Sequence, residues 1–494
     1  MAACLKPGHA KVGRASSSLP RSSAKTLRYV IIQEDSLSAS LLLPIYVGSL
    51  AIVSFRVGRM RCKDYVESTP RSKEMYERAK SVYPEGVNYG IRYFEPYPFC
   101  VVKADRSRLY DIDGNSFTDY WCGHFALILG HRHPAVINAV KEQLDRDYNY
   151  GAFHDVEIKL AEQVAKMIPS AKMVRFTSSG TEANMYAVRL ARTYTKDVKI
   201  AKFEGNWHGG YDSLHVAVKP PLDQPQSGGL AEGAVKDTIV LPYNDLEGVR
   251  RRIKGLELAC MVIEPVMGAG GIVPADREFL KGLRELCDHT GTLLIFDEVM
   301  TGFRLSPGGA QQYYGVFPDL TVLGKIVGGG FPIGAIAGRA EIMEHMDHSK
   351  YQGIEYSFHG GTHVGNPIST SAGYATLKLL EDGSIHSRID KLGEKASGGM
   401  QEIFDRLNFE AQTTGIGSLF GCHFTKQKPI KDIHAVSLGN VNVAKRFHRY
   451  LLDRGIFFQS PVLPHVAVSS AHTEEDIDEL IATVEDFVKS EPRR

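Results

Sequence analysis

The chain has 494 residues, 43% of them hydrophobic and 23% charged, and a formal net charge of +1. This length predicts two or more domains and a large core, and so small a charge argues against nucleic acid as the main partner. The seven cysteines (Cys4, Cys62, Cys100, Cys122, Cys260, Cys287, Cys422) are odd in number and form no C-x-x-C pair, which predicts reduced thiols in a cytoplasmic protein and no structural zinc or other metal.

Residues 1–33 contain Lys6, Lys11, Arg14, Arg21, Lys25 and Arg28 and no acid, a composition shared by organellar targeting peptides and by extensions without function. Residues 36–55 then run without a charge and end against Arg56, Arg59 and Arg61. That length suits a membrane span, but Pro44, Gly48 and five serines weaken the reading. Met60 opens what reads as the start of a soluble enzyme, so residues 1–60 are expected to be a leader or an upstream extension.

From about Ser72, the spacing of Met75, Ala79 and Val82 predicts an amphipathic helix closed by Pro84-Glu85-Gly86. Residues 109–115 read as a hairpin around an Asp-Gly turn. His131 and His133 lack further ligands and are expected to be structural, with Pro134 starting a helix through Ile137, Val140 and Leu144. Strand-like runs follow at 173–176, 199–203, 259–263, 293–296, 320–323 and 334–337, with helices such as 182–195 between several of them. Alternation of this kind implies an α/β fold, a mostly parallel sheet with helices on both faces. After about Ser371 the segments become helix-rich with short strands such as 419–425. A final helix is capped by Thr473 ahead of Glu474, Glu475 and Asp476, and together these predict a second, smaller domain.

Two of the strands carry chemistry. The apolar run 293–296 ends in Asp297 and Glu298, and 320–323 leads through Gly324 into Lys325, followed by Gly328, Gly329 and Gly330. Taken alone, the acids fit a helix cap or metal ligands, and the lysine fits a solvated surface group. Gly324-Lys325 is no nucleotide phosphate loop, because Ile326 replaces the required Ser/Thr and Asp319 the first glycine. Ligands of open α/β sheets sit at strand ends. A lysine and an acid there suit pyridoxal 5'-phosphate (PLP), which needs an amine for its aldehyde and an acid for its pyridine nitrogen. Ser179, Gly180 and Thr181 lie between a strand and a helix start, a cup for the phosphate or simply a cap. Trp207 follows another strand and could cover the cofactor ring, or be core.

From roughly Ser72 to Val488 the sequence resembles the class III PLP-dependent aminotransferases of fold type I, in the branch that includes glutamate-1-semialdehyde 2,1-aminomutase. The stretches that carry the resemblance are 177–184 (TSSGTEAN), 243–247 (YNDLE), 296–304 (FDEVMTGFR), 318–330 (PDLTVLGKIVGGG), Gly361-Thr362 with Gly365-Asn366-Pro367, and 471–478 (AHTEEDID). The resemblance implies a large PLP-binding domain over 121–370 and a small α+β domain built from 61–120 and 371–494. It implies that Lys325 carries the cofactor, Asp297 faces the ring nitrogen, and Val299 and Trp207 flank the ring. Ser179, Gly180 and Thr181 would bind the phosphate, and Thr362 would reach the phosphate of the other subunit of a homodimer. Arg92 would hold a substrate carboxylate. Arg304 is a second choice for that task or, equally, a structural arginine. PLP would alternate with pyridoxamine 5'-phosphate, the partners being small amino acids and 2-oxo acids.

Asn88-Tyr89-Gly90, Trp207, Pro464 and Trp121-Cys122-Gly123-His124-Phe125-Ala126-Leu127 depart from the aminomutase pattern. Those departures favour an intermolecular aminotransferase over a mutase. A PLP-fold protein without catalysis is the remote alternative, and retention of Lys325 and Asp297 argues against it.

Overall fold

The structure, a computed structural model, describes residues 64–492, so the readings placed on the leader lie outside the described residues. Its centre is a seven-stranded sheet. Numbering these strands alone, they are β1 (Met173–Thr177), β2 (Ile200–Phe203), β3 (Thr238–Leu241), β4 (Cys260–Ile263), β5 (Leu293–Asp297), β6 (Leu320–Gly324) and β7 (Gly334–Gly338). Their order is β1-β7-β6-β5-β4-β2-β3, and all neighbours are parallel except β7, which runs antiparallel to both β6 and β1. Strands β4, β5 and β6 are buried along their whole length, which is why their sequences are continuous apolar runs rather than alternating ones.

Helices cover both faces. Gly180–Thr195 packs on β6 and β7 through Ala183, Ala187, Leu190 and Ala191, and Arg277–Thr290 packs beside β5. The edge strand β3 was not read from the sequence, because TIVL is short and lies beside a polar stretch with no alternation to mark it.

The hairpin expected over 109–115 is formed by Arg108–Asp111 and Ser116–Asp119. Ile456–Phe457 pairs in parallel with its second strand, so segments far apart in sequence share one small sheet. A second small sheet joins Gln412–Ile416, Leu419–His423 and His465–Ala467. The helix Pro367–Leu380 runs across the expected division at 370/371 and packs on Pro134–Leu144 and Asp155–Met167. The helix expected from Ser72 spans Pro70–Ala79 and leaves Val82 outside it, 72% exposed. His131 accepts its structural role by pairing with Asp119 at 2.7 Å. Among the described residues no helix is long and apolar enough to cross a membrane.

Candidate active site

Parallel pairing of β5 with β6 brings Asp297 and Lys325 to the same end of the sheet. Both line a cavity of about 370 Å3. Asp297 is 3% exposed, and its carboxylate is held by three donors. Asn184 Nδ2 (2.8 Å) and His208 Nδ1 (2.7 Å) donate to Oδ2, and the Val299 N–H (3.0 Å) donates to Oδ1. Burial depresses the pKa of His208, partly countered by Asp297. Lys325 follows β6 at φ +50°, a left-handed conformation that a non-glycine residue adopts only under tertiary constraint. Burial lowers the pKa of its amine, against the opposing pull of Asp297 and Glu264. That amine has no hydrogen-bond partner among the described residues.

Val299 packs between two backbone surfaces. A Cβ on Gly180 would lie 2.8 Å from Val299 Cγ2, and one on Gly324 would lie 3.1 Å from Cγ1. Gly180 and Thr181 open the long helix 180–195 and line the cavity, while Ser179 caps it by accepting from the Glu182 N–H at 3.2 Å. Gly209, at φ +83°, lies against Thr181, whose Oγ1 would be 2.1 Å from an added Cβ. Trp207 lines the cavity with an edge-to-face contact to His215 at 5.3 Å.

Arg92 ends the short turn Gly90–Arg92 and is exposed, with no ion-pair partner among the described residues. Its neighbours Tyr89 and Ile91 line the cavity. Its charge, after burial, helps push the His124 imidazole down to about 4. Thr362 lies apart, exposed on a second concavity with Tyr150, Phe153 and His154, and does not contribute to this subunit's own cavity.

Sequence reasoning missed several groups. Asn184 and His208 are the two side chains that hold Asp297, the first inside the stretch 177–184 and the second beside Trp207. Asn184 lies one helical turn after Gly180, and His208 follows Trp207. Glu264 gave no signal beyond ending an apolar strand. Its Oε1 accepts from the Trp207 N–H at 2.6 Å and its Oε2 from the Gly268 N–H at 3.2 Å, and burial with Asp297 nearby raises its pKa to about 8.

Of the two roles open to Arg304, the structure shows the structural one: it is fully buried and donates to the carbonyls of Phe125 (3.0 Å) and Val468 (2.9 Å). Pro464 does not line the cavity, whereas His465 does. Of the stretch 121–125, Trp121, His124 and Phe125 line it, presented by a left-handed turn with φ between +48° and +67° at residues 122–125.

The cavity fits PLP. It offers an amine whose pKa burial lowers, a carboxylate held in place by donors, glycines that admit close approach, and buried polar atoms without partners at His208 Nε2 and Asn184 Oδ1. Fold and site together define a fold type I PLP-dependent enzyme. The chain belongs to the class-III aminotransferases, whose family model matches residues 91–488. It is 42% identical over 423 residues to the glutamate-1-semialdehyde 2,1-aminomutase of Methanothermobacter thermautotrophicus, covering 85% of this chain and 99% of that one. Among solved structures it resembles an omega-transaminase from Sphaerobacter thermophilus, with TM-score 0.80, 35% identity, and 85% and 97% of the two chains covered. It likewise resembles a transaminase with PLP bound, with TM-score 0.78, 35% identity, and coverage of 85% and 97%.

Proposed function

We propose that this enzyme transfers an amino group on a small carboxylate-bearing substrate, with Lys325 and Asp297 as its working residues. The observation that carries the reading is the pairing, in one cavity, of a desolvated lysine amine with a carboxylate held by three donors. PLP, when bound, supplies an electron sink for the negative charge that develops beside the substrate nitrogen. Asp297, its carboxylate fixed by three donors, would face a protonated ring nitrogen. Lys325, whose amine burial shifts toward its uncharged, nucleophilic form, then takes and returns the proton at the substrate's amine-bearing carbon. Arg92 holds the substrate carboxylate. Val299 and Trp207, which line the cavity, would flank the ring, and the helix start at Gly180 and Thr181 would receive the phosphate.

Of the two net reactions open to the site, we place the intramolecular one first: glutamate-1-semialdehyde to 5-aminolevulinate. Its support is the 42% identity to an aminomutase over 99% of that relative's length. This reverses the preference drawn from the pocket residues. A second reading, transfer to a separate 2-oxo acid, is favoured by the lining itself. Tyr89, Ile91, Trp121, Phe125, Trp207 and Met300 give an apolar, aromatic wall that suits a larger side chain better than a short, doubly functionalised intermediate. Glutamate-1-semialdehyde supplied alone decides between them. Formation of 5-aminolevulinate without an added acceptor supports the mutase. Failure with it, together with turnover of amino acids and 2-oxoglutarate or pyruvate, makes the enzyme an aminotransferase.

The homodimer in which Thr362 serves the other subunit's phosphate is also our proposal, supported by Phe153 (83% exposed) beside it. A cytoplasmic setting is supported by the five described cysteines, all unpaired.

A further inference from the structure

Lys202, on β2, is fully buried and has no carboxylate within ion-pair distance among the described residues. Its ammonium donates instead to two backbone carbonyls, Asn206 O at 2.8 Å and Val216 O at 2.6 Å. These bracket the segment that carries Trp207 and His208 into the cavity wall. The peptide that follows Asn206 has its carbonyl on Lys202 and its N–H, that of Trp207, on Glu264 Oε1 at 2.6 Å. Glu264 is tied back to the same segment, its own N–H donating to Asn206 Oδ1 at 2.8 Å. A cation thus meets the oxygen and a carboxylate the hydrogen of a single peptide group. Both polarise it in the same sense, so each bond strengthens the other in the low dielectric of the interior.

We propose that Lys202 and Glu264 are a positioning pair, an ion pair mediated by the Asn206–Trp207 peptide, which holds the Trp207 indole against the cofactor ring. The inference rests on the reading of this cavity as the PLP site. Burial works against both charges: it takes Lys202 down to about 7 even against the opposing pull of Glu264, and with Asp297 nearby it takes Glu264 up to about 8. A buried cation this costly to keep, where an apolar residue would pack in the core, calls for a role that its charge performs. Here the role is to fix a peptide from which one wall of the cofactor cavity hangs.

The test is a double-mutant cycle with Lys202→Met and Glu264→Gln, read by pyridoxal phosphate affinity and by visible circular dichroism per bound cofactor. The dichroism reports the asymmetric wall around the ring. Each single variant should weaken binding by about tenfold and lower the dichroism, and the double variant should be no worse than the singles, because the second charge has then lost its partner. Glu264→Gln is nearly isosteric, so it gives a reading even if Lys202→Met fails to fold. Losses that multiply in the double variant, or a dichroism unchanged in both singles, would overturn the pairing while leaving the PLP site intact. Absence of cofactor binding by the parent protein would overturn the functional reading itself, and this inference with it.

Discussion

A lysine amine is a nucleophile and a proton carrier only while uncharged, and the surroundings of Lys325 favour that form, since its pKa is lowered mainly by burial. Lys325→Ala should leave the cofactor held through its phosphate and Asp297 and cut kcat by at least about 10³-fold, the upper part of the range for general acid–base catalysis. Near-parental kcat in that variant would remove Lys325 from the mechanism. Arg92 binds ground and transition state alike in our account, so Arg92→Ala should raise KM with little change in kcat. The size expected from one charge-assisted pair is about 2–3 kcal/mol, roughly 30- to 150-fold in KM. An unchanged KM would place the carboxylate elsewhere. At this scale the sequence pointed to residues of the types that PLP requires, and Lys325, Asp297, Gly180 and Thr181 do line one cavity. It concealed Asn184, His208 and Glu264, because amides, imidazoles and acids that act by holding another side chain have no spacing of their own. Arg304 shows the converse failure, since an arginine in a motif reads the same whether it meets substrate or, as here, two backbone carbonyls.

At the scale of elements, boundaries followed from end chemistry. Pro134 stands at the start of the helix 134–144, and Thr473 caps the last helix in a full capping box with Asp476, the two bonds being 3.2 and 3.1 Å. Thr473→Ala should therefore cost about 1 kcal/mol of stability in urea unfolding, the typical loss for a removed N-cap. A cost near zero would show that the end is held by Tyr120, Ser107 and Arg108, which also reach Asp476. The left-handed turn 122–125 was beyond sequence reasoning. Only Gly123 hints at positive φ there, while Cys122, His124 and Phe125 are forced into it by what surrounds them, including the buried guanidinium of Arg304 on the Phe125 carbonyl.

For the whole molecule, the parallel sheet was legible because strands buried on both faces must be apolar throughout, whereas the edge strand β3 was not. Burial also governs acid stability. His423 and His448 are each pushed down to about 4 by desolvation. Between that value and the ordinary 6.5 the unfolded chain binds more protons than the folded one, so stability falls as pH drops from about 6.5 toward 4 and levels off below. Unfolding free energies from urea titrations at pH 7.5 and 5 should differ by roughly 1–2 kcal/mol for each such histidine. Equal stability at the two pH values would mean that these imidazoles are hydrated or charged in the folded state. The proposed chemistry requires one covalent attachment, between PLP and Lys325. Purified protein incubated with pyridoxal phosphate, reduced with borohydride and digested for mass spectrometry should carry a pyridoxyl group on the peptide containing Lys325, with loss of the visible absorbance on reduction. Absence of the modification, or its presence only on other lysines, would contradict it.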